Sequence, residues 1–238
     1  QEYNKNGYFI LKEFIQKDYA LNLVKEIDNS KDVVRYYDKF NNLRRVEKIY
    51  DKGHYLINLN KKISELLNLI FDKNFLIFKD KFNSKPPGGE GFFAHYDGIF
   101  EFKDSNNEKK RGWYEYGNFF INALVAIDPC DKQNGALELA KSHKGNFAKL
   151  LDNTKKDGSP ALLQAVENKT SFEIIELDIG DILIFSNTCP HRSKENNSKN
   201  SRRIIYYTYL NNEDGSKYEQ YFKDKDNSKS KSKALSER

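Results

Sequence analysis

The sequence has no methionine, only two cysteines and only four histidines in 238 residues. Cys130 and Cys189 make neither a disulfide framework nor a paired-thiolate metal motif, so both are expected to be reduced thiols. No apolar run approaches the roughly 20 residues that a membrane-spanning helix needs. The N-terminus lacks the basic-then-apolar layout of a secretory signal. These absences point to a cytoplasmic protein with no membrane partner. The missing methionine leaves two readings: a sequence that starts after its true N-terminus, or one from which modified methionines have dropped out. In the second case local spacings would be short by a residue. There are no internal repeats.

What is present is polar but sufficient for a core. Hydrophobic residues make up 38% and aromatics 14%, enough to fill one interior beneath a charged surface. Residues 1–222 read as a single domain, and the closing KDKDNSKSKSKALSER, residues 223–238, reads as a disordered charged tail with little to bury. The net charge of +5 comes from lysines scattered among Asp, Glu and Asn, a solvated surface and not the clustered basic stripe of a nucleic-acid binder. Part of that excess is available to anionic ligands.

Periodicity separates two halves. GYFIL reads as a short strand, followed by a helix with Phe14, Leu21, Val24 and Ile27 at helical spacing, and ISELLNLIFD at 63–72 reads as a second helix. Residues 31–52 are basic, aromatic and aperiodic. From Phe75 onward short strands take over: FLIFKDKFN, GFFAHYD after the turn KPPGGEG, FFINALVAID, a strand after the Asn134-Gly135 turn, SFEIIELDIGDILIFSN and RRIIYYTYL. Residues 144–172 form an excursion with a short helix, ALLQAVEN. The expected fold is mainly β with flanking α, a sandwich or barrel with the N-terminal helices packed on one side.

Four dispersed residues carry the chemistry. His95 and Asp97 in HYDG project to one face if they share a strand, and Gly98 follows where backbone must approach a ligand closely. His191 in PHRS lies past the strand DILIFSN and is expected to arrive from the opposite side of the barrel. Two imidazoles and one carboxylate on one face of an octahedron leave three positions open, the arrangement of non-haem Fe(II) oxygenases. Arg202, eleven residues after His191, offers a planar guanidinium for the distal carboxylate of a chelating keto acid, with Ser193 adding a hydroxyl. Arg203 points the other way and reads as surface charge. His143 has a structural role and His54 a surface one. Trp113, Tyr114 and Tyr116 occupy a polar insertion after the first ligand strand, where they either cover the substrate and exclude water or simply pack.

HYD at 95–97, NGALELAKSHK at 134–144, LDIGDILIF at 177–185 and the spacing H-R-S-x8-R from 191 to 202 together resemble the phytanoyl-CoA dioxygenase family of Fe(II)/2-oxoglutarate oxygenases over nearly the whole chain. Within it the likeness is nearest to the alkylphosphonate and aminoalkylphosphonate dioxygenases. The resemblance implies a double-stranded β-helix (a jelly-roll, cupin-like core) with iron at one mouth. It implies His95, Asp97 and His191 as iron ligands, Arg202 and Ser193 on the 2-oxoglutarate tail, Asn83 and Lys79 as further cosubstrate contacts, and Lys81 with Trp113 and Tyr114 toward substrate. Related halogenases have a small residue where Asp97 stands, so hydroxylation is the expected reaction, with O2 consumed and succinate and CO2 released. A small anionic or zwitterionic substrate, held by pocket lysines and Arg111, ranks ahead of an acyl-CoA. A cupin-like module that binds metal without redox chemistry has no use for Arg202, and a zinc hydrolase would need a general base that is not evident. Oligomeric state is left open.

Overall fold

The computed structural model describes residues 2–104, 107–211 and 215–229, with side chains to residue 227. In chain order the first elements are α1 (Glu2–Asn6), β1 (Tyr8–Leu11), α2 (Lys17–Asn29), β2 (Val34–Tyr37), β3 (Leu43–Glu47), α3 (His54–Phe71), β4 (Phe75–Lys85) and β5 (Phe92–His95). A small hairpin of β6 (Phe102–Lys103) and β7 (Lys109–Lys110) and a 3-10 turn at Gly112–Glu115 precede β8 (Phe120–Ala126) and β9 (Leu137–Leu139). The remainder is α4 (Phe147–Leu151), α5 (Gln164–Glu167), β10 (Glu173–Ile174), β11 (Ile182–Ser186), β12 (His191–Ser193), β13 (Arg202–Asn211) and α6 (Tyr218–Lys229).

Period-two alternation sorts these strands into two facing antiparallel sheets. The larger runs β1-β11-β8-β13-β4-β3-β2 and the smaller β10-β9-β12-β5. On the large sheet, Ile121, Ala123, Val125, Ile205, Tyr207 and Tyr209 face outward and are covered by Leu23, Val24 and Ile27 of α2 and Leu56, Leu59, Ile63 and Leu67 of α3. The alternate residues Leu124, Ala126, Leu183, Phe185, Ile204 and Tyr206 face inward, where they meet Leu139 of the small sheet. Each fully buried side chain of this kind contributes about 1.5–3 kcal/mol. The result is the double-stranded β-helix with helices on one side that the sequence implied.

Long-range contacts supply what local sequence lacks. The N-terminus of α3 follows Gly53 and has no side-chain cap of its own; the Glu26 carboxylate of α2 accepts from the N–H groups of Tyr55 and Leu56, each at 3.0 Å. A Cβ at Gly53 would fall 2.3 Å from that carboxyl carbon, so a larger residue there would have to push the Glu26 carboxylate off its cap. Buried Asp80 on β4 accepts from the backbone N–H groups of Lys48, Ile49 and Tyr50 and from the Tyr218 hydroxyl, tying β3 and α6 to the sheet.

Several expectations are corrected. Leu21 is 46% exposed and Leu23 takes an inward place, because spacings of three and four residues through Ala20, Leu23, Val24 and Ile27 set the buried face of α2. Residues 31–52 are not aperiodic coil: β2 and β3 form a hairpin there, with mixed charged and aromatic faces that blur the alternation. The second helix starts at His54, nine residues before the apolar run 63–72. Residues 223–229, expected in a disordered tail, belong to α6, and residues 230–238 lie outside the described residues. Among the described residues no helix is long and apolar enough to cross a membrane.

Candidate active site

β5 ends at His95, and its cross-strand partner on β12 is His191. The two imidazoles therefore stand side by side in the small sheet, with ring centroids 4.1 Å apart. This corrects the expectation that His191 reaches across from the opposite side. Asp97 lies just beyond the strand, where Asn187 grips its backbone twice: the Asp97 N–H donates to the Asn187 carbonyl at 3.2 Å, and Asn187 Nδ2 donates to the Asp97 carbonyl at 3.1 Å. Gly98 then turns the chain at φ +74°, and any Cβ there would collide with Trp113 at 2.3 Å.

These constraints bring three donor atoms, one from each residue, within 4.8 Å of one another. His95 Nε2 is 3.9 Å from Asp97 Oδ1 and His191 Nε2 is 3.5 Å from Asp97 Oδ2. His95 Nδ1 bonds to the Phe93 carbonyl at 2.9 Å and His191 Nδ1 to the Cys189 carbonyl at 3.0 Å. A carbonyl only accepts, so each Nδ1 carries the proton and each Nε2 presents its lone pair inward. Asp97 Oδ2 accepts from Asn122 Nδ2 at 2.9 Å and the Tyr206 hydroxyl at 2.5 Å, while Thr208 donates to Asn122 Oδ1 at 2.8 Å and fixes that amide. Burial pushes His95 down to about 3 and also lowers His191. Burial of Asp97 opposes its ionisation, but the imidazoles in their protonated form, with Lys81 and Lys79, outweigh that effect and hold it well below the usual carboxylate range. Two neutral imidazoles and an ionised carboxylate are the protonation states that a divalent metal requires.

Arg202 opens β13 and is buried, and its Nε has no hydrogen-bond partner. The nearest candidate carboxylate, Asp128, is taken by Arg203 at 2.7 Å, which places Arg203 on the outer side as expected. A guanidinium removed from water without an anion is costly, and the buried Cys130 thiol is the side-chain partner that Arg202 has among the described residues. Lys85, its cross-strand partner on β4, donates to Ser193 Oγ at 2.9 Å, to the Gly135 carbonyl at 3.3 Å and to the Lys194 carbonyl at 2.5 Å. Ser193 therefore sits beside Arg202 and keeps its own O–H to donate. Lys79, Lys81, Asn83 and Lys85 share the inward face of β4. Asn83 lies between the two ends, opposite Ile204.

Lys79 does not accompany Arg202. It pairs with Thr208, six positions from Lys85, roughly 20 Å along the strand at ~3.3 Å per residue. There its ammonium sits 5.0 Å from the Trp113 ring and 5.6 Å from the Tyr221 ring. Lys81 Nζ lies over Tyr206 at 4.2 Å, beside the carboxylate that Tyr206 holds. Trp113 is buried between Phe78 and Phe120, so its own role is packing beneath Gly98. The Tyr114 hydroxyl meets the Asn187 side chain and its ring packs on Phe147 and Phe120. Arg111 is on the surface with Glu115 and does not join the lysines. His143 bonds to the Tyr96 hydroxyl at 2.5 Å and exposed His54 to Asn58. Cys130 and Cys189 are free and buried.

Sequence reasoning missed Asn122, Tyr206, Asn187 and Lys85. The signal for the first two was present: each is a polar group at an inward position of an apolar strand, FINALVA or IIYYTYL.

A double-stranded β-helix with two imidazoles and a carboxylate brought together on its small sheet and a buried guanidinium inside has the architecture of a non-haem iron oxygenase. The chain matches the phytanoyl-CoA dioxygenase (PhyH) family over residues 3–204 and belongs to that family. It is an enzyme of the Fe(II)/2-oxoglutarate dioxygenase kind, as the motifs implied. It is 27% identical to a 2-aminoethylphosphonate dioxygenase from an uncultured bacterium, over 94% of this chain and 85% of that one. It is 26% identical to a methylphosphonate hydroxylase from Gimesia maris, over 94% of this chain and 84% of that one. Among solved structures, iron-bound EctD from S. alaskensis superposes with a TM-score of 0.66 at 15% identity, covering 87% of this chain and 73% of that one, which shows the shared fold.

Proposed function

We propose that the protein hydroxylates an unactivated C–H bond of a small anionic or zwitterionic substrate, of alkylphosphonate type, using Fe(II), 2-oxoglutarate and O2. The observation that carries the cosubstrate is the buried guanidinium of Arg202, whose Nε has no hydrogen-bond partner and which no carboxylate pairs, near Ser193 and Lys85; it suits the distal carboxylate of a keto acid. Iron fits the donor set because both Nε2 atoms and Asp97 Oδ1 face one point while the remaining ring nitrogens and Asp97 Oδ2 are tied to the protein. When bound, the metal with its keto acid supplies the oxidising power for C–H cleavage.

The chain's own residues set geometry and charge. His95, Asp97 and His191 hold the metal, Asn122 and Tyr206 keep Asp97 from rotating, and Arg202 with Ser193 orients the cosubstrate. On the other side of the triad, Lys81 and Lys79 present ammoniums whose pKa values burial lowers, so an arriving anion regains for them what desolvation removed. That pairing favours a phosphonate over a neutral substrate. Similarity to a 2-aminoethylphosphonate dioxygenase and a methylphosphonate hydroxylase supports the same class.

The test is anaerobic loading with Fe(II) and 2-oxoglutarate, then oxygen, with succinate measured across alkylphosphonates, quaternary amines, amino acids and acyl-CoAs. Succinate that rises with a phosphonate and disappears in Arg202→Ala is the expected result. Turnover of acyl-CoA with no small anion active would overturn the substrate class; iron binding with no succinate from any compound would overturn the oxygenase reading.

A further inference from the structure

Beyond the end of β8 the chain is strapped across the start of β13. The N–H groups of Ile127 and Asp128 both donate to the Arg203 carbonyl, at 3.1 and 3.2 Å. In return the Asp128 carboxylate accepts from the Arg203 N–H at 2.9 Å and from its guanidinium at 2.7 and 2.8 Å. Two residues on, Cys130 forms an antiparallel bridge with Leu177, its N–H donating to the Leu177 carbonyl at 2.8 Å and its own carbonyl accepting at 3.0 Å. Held from both sides, the Cys130 side chain is 3% exposed and belongs to the inner cluster with Ala136, Leu139, Leu177 and Ile204.

There the thiol meets Arg202. Its S–H donates to the Asp128 carbonyl at 3.5 Å, which leaves the sulfur lone pairs to accept from the guanidinium. Burial pushes the thiol up to about 11 against the pull of Arg202, so it stays protonated and neutral. Arg202 itself is 6% exposed, and its Nε has no hydrogen-bond partner. Sulfur is a weak acceptor, so it can orient a guanidinium without neutralising it. A carboxylate in the same place would form a charge-assisted pair with the guanidinium and use up the anchor from within the chain.

We infer that Cys130 is a positioning residue for the cosubstrate anchor: a neutral, weakly accepting thiol that aims the Arg202 guanidinium and leaves its charge to the distal carboxylate of the keto acid. This rests on the role of Arg202 proposed above. It makes two properties of the side chain at 130, the capacity to accept a hydrogen bond and the lack of charge, determinants of 2-oxoglutarate affinity.

The test reads binding, not turnover. Anaerobic protein loaded with Fe(II) is titrated with 2-oxoglutarate and with pyruvate, which presents the same keto acid but lacks the distal carboxylate, following the visible charge-transfer band of the iron–keto acid complex. Cys130→Asp is expected to weaken 2-oxoglutarate about 100-fold, as loss of one partner of a buried charge pair does, and to leave pyruvate within about twofold. Cys130→Ala is expected to weaken 2-oxoglutarate about fivefold, the size of one lost hydrogen bond, and Cys130→Ser to restore it to within about twofold of wild type. Thermal melts of the ligand-free variants check folding, and the Ala and Ser pair decides the matter if Cys130→Asp does not fold. Wild-type affinity for 2-oxoglutarate in Cys130→Asp or in Cys130→Ala would overturn the inference alone, as would equal losses in Cys130→Ala and Cys130→Ser, which packing by itself would produce. A wild-type protein that binds 2-oxoglutarate no more tightly than pyruvate would overturn the anchor reading of Arg202 and the inference with it.

Discussion

The two ends of β4 hold cations in different ways. At one end Lys85 spends its ammonium on two carbonyls and a hydroxyl, fixing a loop and Ser193 around Arg202. At the other end Lys79 and Lys81 rest on aromatic rings and keep their charge undirected. The first arrangement is rigid and suits one invariant ligand, a keto acid presented in a single pose. The second leaves the ammoniums without a fixed acceptor, so that any selectivity there is left to charge. Between the two stands a metal triad whose non-ligating atoms are nearly all occupied by the protein, so that it needs little rearrangement on loading.

The largest expected effect breaks the triad itself. Asp97→Ala or His191→Ala should abolish tight Fe(II) binding, read by anaerobic metal titration, with turnover falling by at least about 1000-fold. Retained stoichiometric Fe(II) binding in both variants would remove the assignment of these ligands. Next comes the rigid end: Arg202→Met should raise the 2-oxoglutarate dissociation constant about 100-fold, since one partner of a buried charge pair is lost. The same variant should make the ligand-free protein no less stable, and up to about 3 kcal/mol more so, because a desolvated cation without an anion is gone. Thermal melts with and without 2-oxoglutarate check both halves; a ligand-free protein strongly destabilised by Arg202→Met would contradict the idea of an anchor waiting for its anion.

Smaller effects sharpen the contrast. Tyr206→Phe removes one of two donors to Asp97 Oδ2 and should cost about tenfold in Fe(II) affinity with the fold intact. Lys81→Met should weaken phosphonate binding while sparing 2-oxoglutarate, and equal losses of both would mean that the two ends are not separate sites.

The smallest effect is in pH. Burial, with Arg202 and Arg44 adding repulsion, pushes the Lys85 ammonium down to about 7. An anion on Arg202 favours the charged form and raises that value, so below about 7 binding recruits no proton and above it binding must take one up. Affinity for 2-oxoglutarate should therefore fall a few-fold as pH rises from about 7 to 8.5, and Lys85→Met should flatten the profile. For the ligand-free fold the sign is opposite: the unfolded chain binds more protons between about 7 and the ordinary lysine value, so this residue's contribution to stability improves as pH rises through that window.

Much of the chemistry was legible before any coordinates, because residue type and short spacing report it directly. His-x-Asp before Gly98, and a serine and an arginine two and eleven residues after His191, are local patterns whose ligand preferences follow from their atoms. The helical face of α2 was nearly legible too, with Leu21 misplaced by a shift of one position relative to its neighbours. The β2–β3 hairpin was not, since it lies at the sheet edge with half-buried, mixed faces that break the alternation a sequence scan depends on. Asn187 was invisible for a different reason: its work is done through the backbone of a residue 90 positions away.

The amino-acid sequence by itself determined the donor types, their order along the chain, the place of Arg202 after them and the strand-rich class of the fold, since each follows from local composition and periodicity. Only the tertiary structure decided that His191 stands beside His95, that Lys79 lies some 20 Å along β4 from the partner of Arg202, and that a charged C-terminal segment forms α6 and sets Tyr221 against Lys79. These are matters of strand register and long-range docking. A one-residue slip would turn every inward side chain outward, and the free energy that forbids it comes from packing both sheet faces at once, which no short stretch of sequence contains.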